Sequence, residues 1–278
     1  MTSRSNRCGA TDSVTSPLAI VCAMEWELAH LRRALPAGTE EWHDGQCAYV
    51  ARLGRRPLVL VACGMGMVSA AAGTQAVISR YSPRAVLNYG CAGAHRAELL
   101  PGDLVVATHV VAYDSLRESP DGQLHYRGMH YLEAGQQRRT DALITDPGLL
   151  AAARHAADAF VKQHEPWPLL GWPPGVPHRS PRLVFGTVAS ADRWNRSPAS
   201  IGALVARHNS LCEDMEAAAI GLVCAGHGVP FLSIKDVSNN ELVRPTLSGQ
   251  TMLAELGADQ IARRAADFTL AVIGAFVS

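Results

Sequence analysis

With 278 residues, 48% of them apolar and only 18% charged, the chain can bury a substantial core as one large domain or two small ones. Its formal net charge is zero, without a basic or acidic block, which argues against a nucleic-acid surface or a polybasic membrane patch. No uninterrupted apolar segment is long enough to span a bilayer.

Residues 1–17, MTSRSNRCGATDSVTSP, are polar and lack an apolar h-region. They read as a disordered tail rather than a secretory signal, with organelle targeting as an alternative, and the expected location is cytoplasmic. LAIVCA (18–23) follows, a short apolar run of the kind buried on both faces of a parallel sheet. MEWELAHLRRAL carries Leu28, Leu31 and Leu35 on one helical stripe. CAYVARLG and RRPLVLVACG predict a hairpin, and GMG then leads into an Ala-rich helix, MVSAAAGTQAVISRY. RAVLNYGCAGA and GDLVVATHVVAYD read as strands, and PGLLAAARHAADAFVKQ as a helix. PRLVFGTVASAD, DMEAAAIGLVCAGHG and VPFLSIKDVS predict strand, helix, strand, and GQTMLAELGADQIARRAADFTLAVIGAFV one long terminal helix. Alternating strands and helices predict an α/β layer architecture around a central mixed, largely parallel sheet, as a single domain over 18–278. Residues 164–181, HEPWPLLGWPPGVPHRSP, are too rich in Pro for regular helix or central strand and predict an excursion over one edge or over the site.

Seven cysteines, an odd number without C-x-x-C, suggest neither a disulfide framework nor a zinc site, and eleven histidines show no metal spacing. No metal and no cofactor are expected. Lysine occurs only at Lys162 and Lys235, so the second of these, near the end of a buried strand, draws notice.

Ligands in open α/β sheets collect where strand carboxyl ends meet loops and helix N-termini. Here that rule gathers Glu25 and Glu27; Gly64 and Gly66; Cys91, Ala92 and Gly93; Ser190, Asp192 and Trp194; and Ser238 and Asn239. The helix expected to begin at EDMEAAA adds Asp214 and Glu216 in its first turn. Each also has an ordinary structural explanation: acids complement a helix dipole, GMG can be a plain turn, and SNN an Asx turn.

The order of these pieces decides among them. The blocks LAIVCAMEWELAHL, LVLVACGMGMVSAAAGTQAVISRYSPRAVLNYGCAGA, PGDLVVA, GTVASAD and EDMEAAAIGLVCAGHGVPFLSIKDVSN resemble the nucleoside phosphorylase/nucleosidase superfamily, most closely its methylthioadenosine/S-adenosylhomocysteine nucleosidase branch. They cover most of residues 18–239; the stretch from about 116 to 181 matches poorly. The resemblance implies a three-layer α/β/α fold, usually dimeric in this branch, that cleaves the N-glycosidic bond of a purine nucleoside without a metal. By position, Glu27 would activate the attacking water, Met215 and Glu216 would hold the ribose, and Cys91, Ala92 and Gly93 would line sugar and base. Trp194 would stack near the purine, Lys235 would stand near the water, and Ser238 and Asn239 would serve the base. A carboxylate such as Glu27 also disfavours phosphate, which points to hydrolysis over phosphorolysis.

Four positions depart from that branch: Cys91 for Ser, Lys235 for Arg, Asp214 for Glu, and Asn239 for Asp. The last changes the chemistry, because an acid can protonate purine N7 and an amide cannot. Asn239 therefore raises a 6-oxopurine alternative (futalosine- or inosine-type), beside a third in which the chain binds nucleosides with little turnover. Asp236 or Glu241 could supply a proton, although strand alternation turns Asp236 away from Asn239. The pocket for the 5′ substituent is expected around 126–132 and the Pro/Trp excursion, with His109, Tyr113 and Tyr131 as conceivable contacts.

Overall fold

In a computed structural model of the protein, residues 16–161, 165–170, 172–243 and 260–276 are described. The expected disordered tail lies outside them but for Ser16 and Pro17, and Pro17 already accepts a backbone hydrogen bond from Arg84. β1 (Leu18–Cys22) is buried throughout. Its side chains alternate between two cores: Leu18, Ile20 and Cys22 enter one, Ala19 and Val21 the other. That two-sided burial explains why LAIVC is apolar without a break. β4 (Arg56–Ala62) and β5 (Ala85–Ala94) flank β1 in parallel. β2 (Thr39–His43) and β3 (Gln46–Leu53) continue past β4 as antiparallel strands, and the hairpin between β3 and β4 turns at Gly54, whose φ is +61°.

On the other side the sheet curls. β6 (Leu104–Ala112), β12 (Leu183–Ser190), β13 (Ser210–Asp214) and β14 (Phe231–Asn239) join β5 in a ring. β5 pairs β14 in parallel, β14 pairs β6 antiparallel, β6 pairs β12 and β12 pairs β13 in parallel, and β13 returns to β5 antiparallel. The strand ends expected to carry function are thereby drawn together. Short β11 (Leu143–Ile144) caps β6, while β7 (Leu116–Glu118) with β8 (Leu124–Tyr126) and β9 (Met129–Glu133) with β10 (Gln136–Thr140) form two small hairpins.

Helices cover both faces, giving the expected three layers. α1 (Glu25–Ala34), α3 (Pro147–Val161) and α6 (Arg263–Ala275) set Leu28, Leu31, Leu149, Phe160, Phe268 and Val272 against one face. α2 (Met67–Tyr81) and α5 (Ala217–His227) set Ala70, Val77, Ile220 and Cys224 against the other. α4 (Pro198–His208) packs beside β12 and β13.

Two expectations change. Asp214 does not sit in a helical turn: it ends β13, and α5 begins only at Ala217 with Glu216 at its N-cap. The terminal helix is not continuous: residues 260–262 form a turn, Ala262 has a φ of +60°, and the helix runs from Arg263. The part of that expectation over 249–259 lies outside the described residues, as do His164 and Gly171 of the excursion. The rest of the excursion does not merely skirt an edge, because Trp167 and Trp172 are buried with Leu100 and Ile261 against half-buried Trp26 and Cys91.

Candidate active site

Glu27 shows how a local structural rule can fix the position of a candidate catalytic carboxylate. It is the third residue of α1, where a carboxylate can reach back to cap the helix start. Its Oε2 accepts from the backbone N–H of Met24 (3.0 Å) and Ala23 (3.2 Å), and its Oε1 accepts from Cys91 N–H (3.2 Å) on β5. The side chain is buried, and its carboxyl is pushed above the usual range by that burial, with Lys235 and the three N–H groups pulling the other way. Gly90 makes room for it, since a Cβ there would lie 2.9 Å from Oε1. Glu25, two residues earlier, is exposed and lines a groove of about 940 Å³ between α2 and the β2–β3 hairpin.

Lys235, fully buried on β14, places Nζ 2.7 Å from Asp214 Oδ2. Burial opposes its charge, but Asp214, Glu216 and Glu27 together outweigh that and hold it firmly protonated. Asp214 is itself clamped, accepting from Ser190 Oγ (2.5 Å) and Ala217 N–H (2.9 Å). Glu216 accepts from Gly66 N–H (2.9 Å). Burial and the nearby Asp214 push its carboxyl up to about 7, against Lys235 and the Gly66 N–H. The GMG turn thus has a specific role. Gly66, at φ +97°, aims its amide at Glu216, while the next amide, Met67 N–H, donates to Asp192 Oδ1 at 2.7 Å. The N-terminus of α2, which could have cradled a phosphate, is occupied by the protein's own carboxylates.

At the end of β14 the register with β5 shifts between Val237 and Asn239, leaving Ser238 as the extra residue of a bulge. Ser238 Oγ lies 3.3 Å from Ala92 O and donates to Asn239 Oδ1 at 3.0 Å. Asn239 Nδ2 is buried with no partner. The bulge also resets the alternation that was expected to separate Asp236 from Asn239. What separates them is packing, since Asp236 faces Arg264 at the start of α6, where burial pushes its carboxyl up to about 7. Glu241 turns toward Arg196 (3.9 Å).

Trp194 is 46% exposed on the segment after β12. That segment is tied down by Asn195, whose backbone N–H donates to Glu213 Oε1 (2.8 Å) and whose Nδ2 donates to Glu213 Oε2 (2.5 Å). Met215 is half-buried between Asp214 and Glu216. The structure therefore brings Glu27, Cys91, Lys235 and Glu216 into one electrostatically coupled cluster. Ala92, Gly93, Ser238 and Asn239 lie along its β5–β14 floor. Glu213 is a neighbour of this cluster that the sequence reading did not single out, whereas Ser190, which clamps Asp214, was among the strand-end residues it gathered. Glu213 stood beside Asp214 in CED, yet nothing local marked it, because its partners are distant in the chain. Among the described residues, no group of three or more His, Cys, Asp or Glu could hold a metal ion, and no helix is long and apolar enough to cross a membrane.

A curled α/β/α fold with buried carboxylates and one lysine gathered at its strand ends belongs with enzymes of nucleoside cleavage. The chain is a member of the Phosphorylase superfamily, whose family model matches residues 17–274. It is 31% identical over 224 residues to the 5′-methylthioadenosine/S-adenosylhomocysteine nucleosidase of Anoxybacillus flavithermus, which covers 80% of this chain and 84% of that relative. Among solved structures, the S-adenosylhomocysteine nucleosidase of Streptococcus pyogenes in complex with 5-methylthiotubericidin superposes with a TM-score of 0.74 at 22% identity, over 97% of this chain and 100% of that one. The futalosine hydrolase of Helicobacter pylori superposes with a TM-score of 0.73 at 20% identity, over 93% of this chain and 97% of that one.

Proposed function

We propose that this protein hydrolyses the N-glycosidic bond of a purine nucleoside, releasing the free base and a ribose derivative. The observation that carries this reading is Glu27: a buried carboxylate fixed by three backbone N–H groups, with a buried cation, Lys235, and a second acid, Glu216, acting on it electrostatically. Cleavage sends the bonding electron pair to the purine and leaves positive charge on the sugar. Glu27 orients a water toward the sugar carbon, takes its proton as the new C–O bond forms, and stabilises the developing cation. Glu216 accepts from ribose hydroxyls, with Met215 against the sugar. Cys91, Ala92 and Gly93 line sugar and base, Trp194 stacks near the purine, and Lys235 favours the ionised form of the water-side carboxylates. Ser238 and Asn239 face the base, and the unpartnered Nδ2 supplies a neutral donor to it.

Water is favoured over phosphate as the nucleophile by charge. Glu27, Asp214 and Glu216 surround a single lysine, and the α2 amides are already taken by Glu216 and Asp192. The chain works as one domain over 18–278, in the cytoplasm, and as the homodimer usual in the branch it resembles. Sedimentation velocity giving only a monomer would remove that last statement. The decisive assay incubates the protein with methylthioadenosine, adenosylhomocysteine, futalosine and inosine, with and without phosphate, and identifies the freed base. Base release without phosphate is expected. Strict phosphate dependence, or nucleoside binding without release, would overturn hydrolysis.

A further inference from the structure

Three strands lie abreast where the base would sit. Gly93 on β5 pairs with Glu213 on β13 on one side and with Asn239 on β14 on the other. Paired residues present their side chains on the same sheet face, so Glu213 and Asn239 form the two walls of a notch whose floor is a glycine. A Cβ at Gly93 would lie 3.4 Å from Asn239 Nδ2 and 3.7 Å from Glu213 Cγ. With neighbouring strands about 4.8 Å apart, the walls stand roughly 10 Å apart at their Cα atoms, a span suited to the edge of a planar bicyclic base.

The walls differ in hydrogen-bonding sense. Asn239 offers Nδ2, buried and unpartnered, with Oδ1 engaged by Ser238. Glu213, also buried, is an acceptor when ionised. Its Oε2 accepts from Asn195 Nδ2 and from Tyr113 O–H (3.3 Å) and lies 3.4 Å from His95 Nε2, whereas Oε1 accepts only from Asn195 N–H. Oε1 therefore keeps acceptor capacity. Glu213 and the Tyr113 hydroxyl between them occupy the Asn195 donors, which are thereby withdrawn from the base.

A donor facing an acceptor across the notch discriminates between purines. A 6-oxopurine carries O6, an acceptor, and N1–H, a donor. Adenine reverses both, with N6–H₂ a donor and N1 an acceptor. We infer that Glu213 and Asn239 together select a 6-oxopurine base, with Nδ2 of Asn239 donating to O6 and the Glu213 carboxylate accepting from N1–H. This rests on the nucleoside-cleaving reading of the same site and names its base. Adenine would set its N1 lone pair against a carboxylate and its amino group against an amide donor, and each mispaired buried contact costs a factor of about ten or more.

The test uses substrates that differ only at position 6, inosine against adenosine and methylthioinosine against methylthioadenosine, together with calorimetric binding of free hypoxanthine and adenine. The native protein is expected to prefer the 6-oxo member about tenfold or more in kcat/KM and in base affinity. E213Q, checked for folding by its melting curve, is expected to erase most of that preference rather than weaken both bases alike. N239D leaves Glu213 untouched and is expected to move the preference toward adenine. Equal or tighter adenine binding by the native protein would overturn the inference. So would an equal loss for both bases in E213Q, an unmoved preference in N239D, or no binding of either base. Failure of the hydrolase reading looks different: no nucleoside is cleaved, while the free-base preference persists.

Discussion

Among the described residues, Lys235 is the side-chain cation that acts on both Glu27 and Glu216 and pairs with Asp214, so K235M probes the stability and the chemistry of the site in one change. Its ammonium lies 2.7 Å from Asp214, and both side chains are 1% exposed. Deleting one partner of a buried ion pair costs about 3–5 kcal/mol, because the other charge is left in a medium that cannot solvate it. Asp214 keeps Ser190 Oγ and Ala217 N–H, which places the expected loss near the lower end, about 3 kcal/mol by urea denaturation. The pH signature is more specific. Lys235 lowers the pKa of both Glu27 and Glu216 against the burial that raises them. Without it both carboxyls move further up, so the ionised forms survive only at higher pH. The acid limb of the base-release profile should therefore shift to higher pH in K235M, while K235R, which keeps the charge, should leave it near its original position. A variant that loses under about 1 kcal/mol and keeps its acid limb unmoved would refute this account of the cluster.

Three further outcomes follow from the same contacts. E27Q should lower kcat by about 10²–10⁴-fold with nucleoside binding retained, measured by single-turnover cleavage alongside calorimetry, since an amide can neither take the proton nor balance the cation. G90A would bring a methyl to 2.9 Å from Glu27 Oε1; displacing that carboxylate should cost about 100-fold in kcat with little change in melting temperature, and wild-type turnover would count against Glu27 as the water-activating group. Folded-state pKa values of about 7 for Glu216 and Asp236 lie above their ordinary values of 4.5 and 3.8. Protonation thus favours the folded state: this contribution is fully present below about pH 4 and is lost as pH rises through 7. The melting temperature should fall between about pH 4 and pH 7, and D236N should flatten the fall; parallel curves for the two proteins would exclude Asp236 from it.

Long, doubly buried elements were legible in the sequence, and short ones held by tertiary partners were not. LAIVC and the apolar approach of β14 carry their own signals because both faces are buried, and α2 does so through the small and apolar stripe of its one buried face, Ala70, Val77 and Ile78. β13 does not: SLCED is five residues long and ends in two acids, a pattern equally suited to the first turn of the following helix, so Asp214 was misplaced. α4 was also unread, although Ser197 before Pro198 is a helix-start signal. The Pro-rich excursion announced irregular backbone, but the burial of Trp167 and Trp172 depends on Leu100 and Ile261, far away in the chain. Glu213 stayed invisible for the same reason. Its partners Asn195, Tyr113 and His95 come from three separate segments, and only the curl of the sheet brings them together.

The charge balance of the site connects its strain to its chemistry. Burying Glu27, Asp214 and Glu216 around one lysine leaves carboxylate repulsion unrelieved, which is visible in Glu216 at about 7. A sugar that becomes positive beside Glu27 and Glu216 relieves that repulsion, so these acids interact more strongly with the transition state than with the neutral nucleoside, the condition for accelerating a reaction. At the base end the arrangement is the reverse: Asn239 is neutral and cannot give up a proton, and Ser238 engages its carbonyl. The departing purine must then spread its own negative charge. A 6-oxopurine can place that charge on O6, where Asn239 Nδ2 meets it with a hydrogen bond that strengthens as the bond breaks. Adenine has no such oxygen, so it would leave from this site without the acid that its departure calls for.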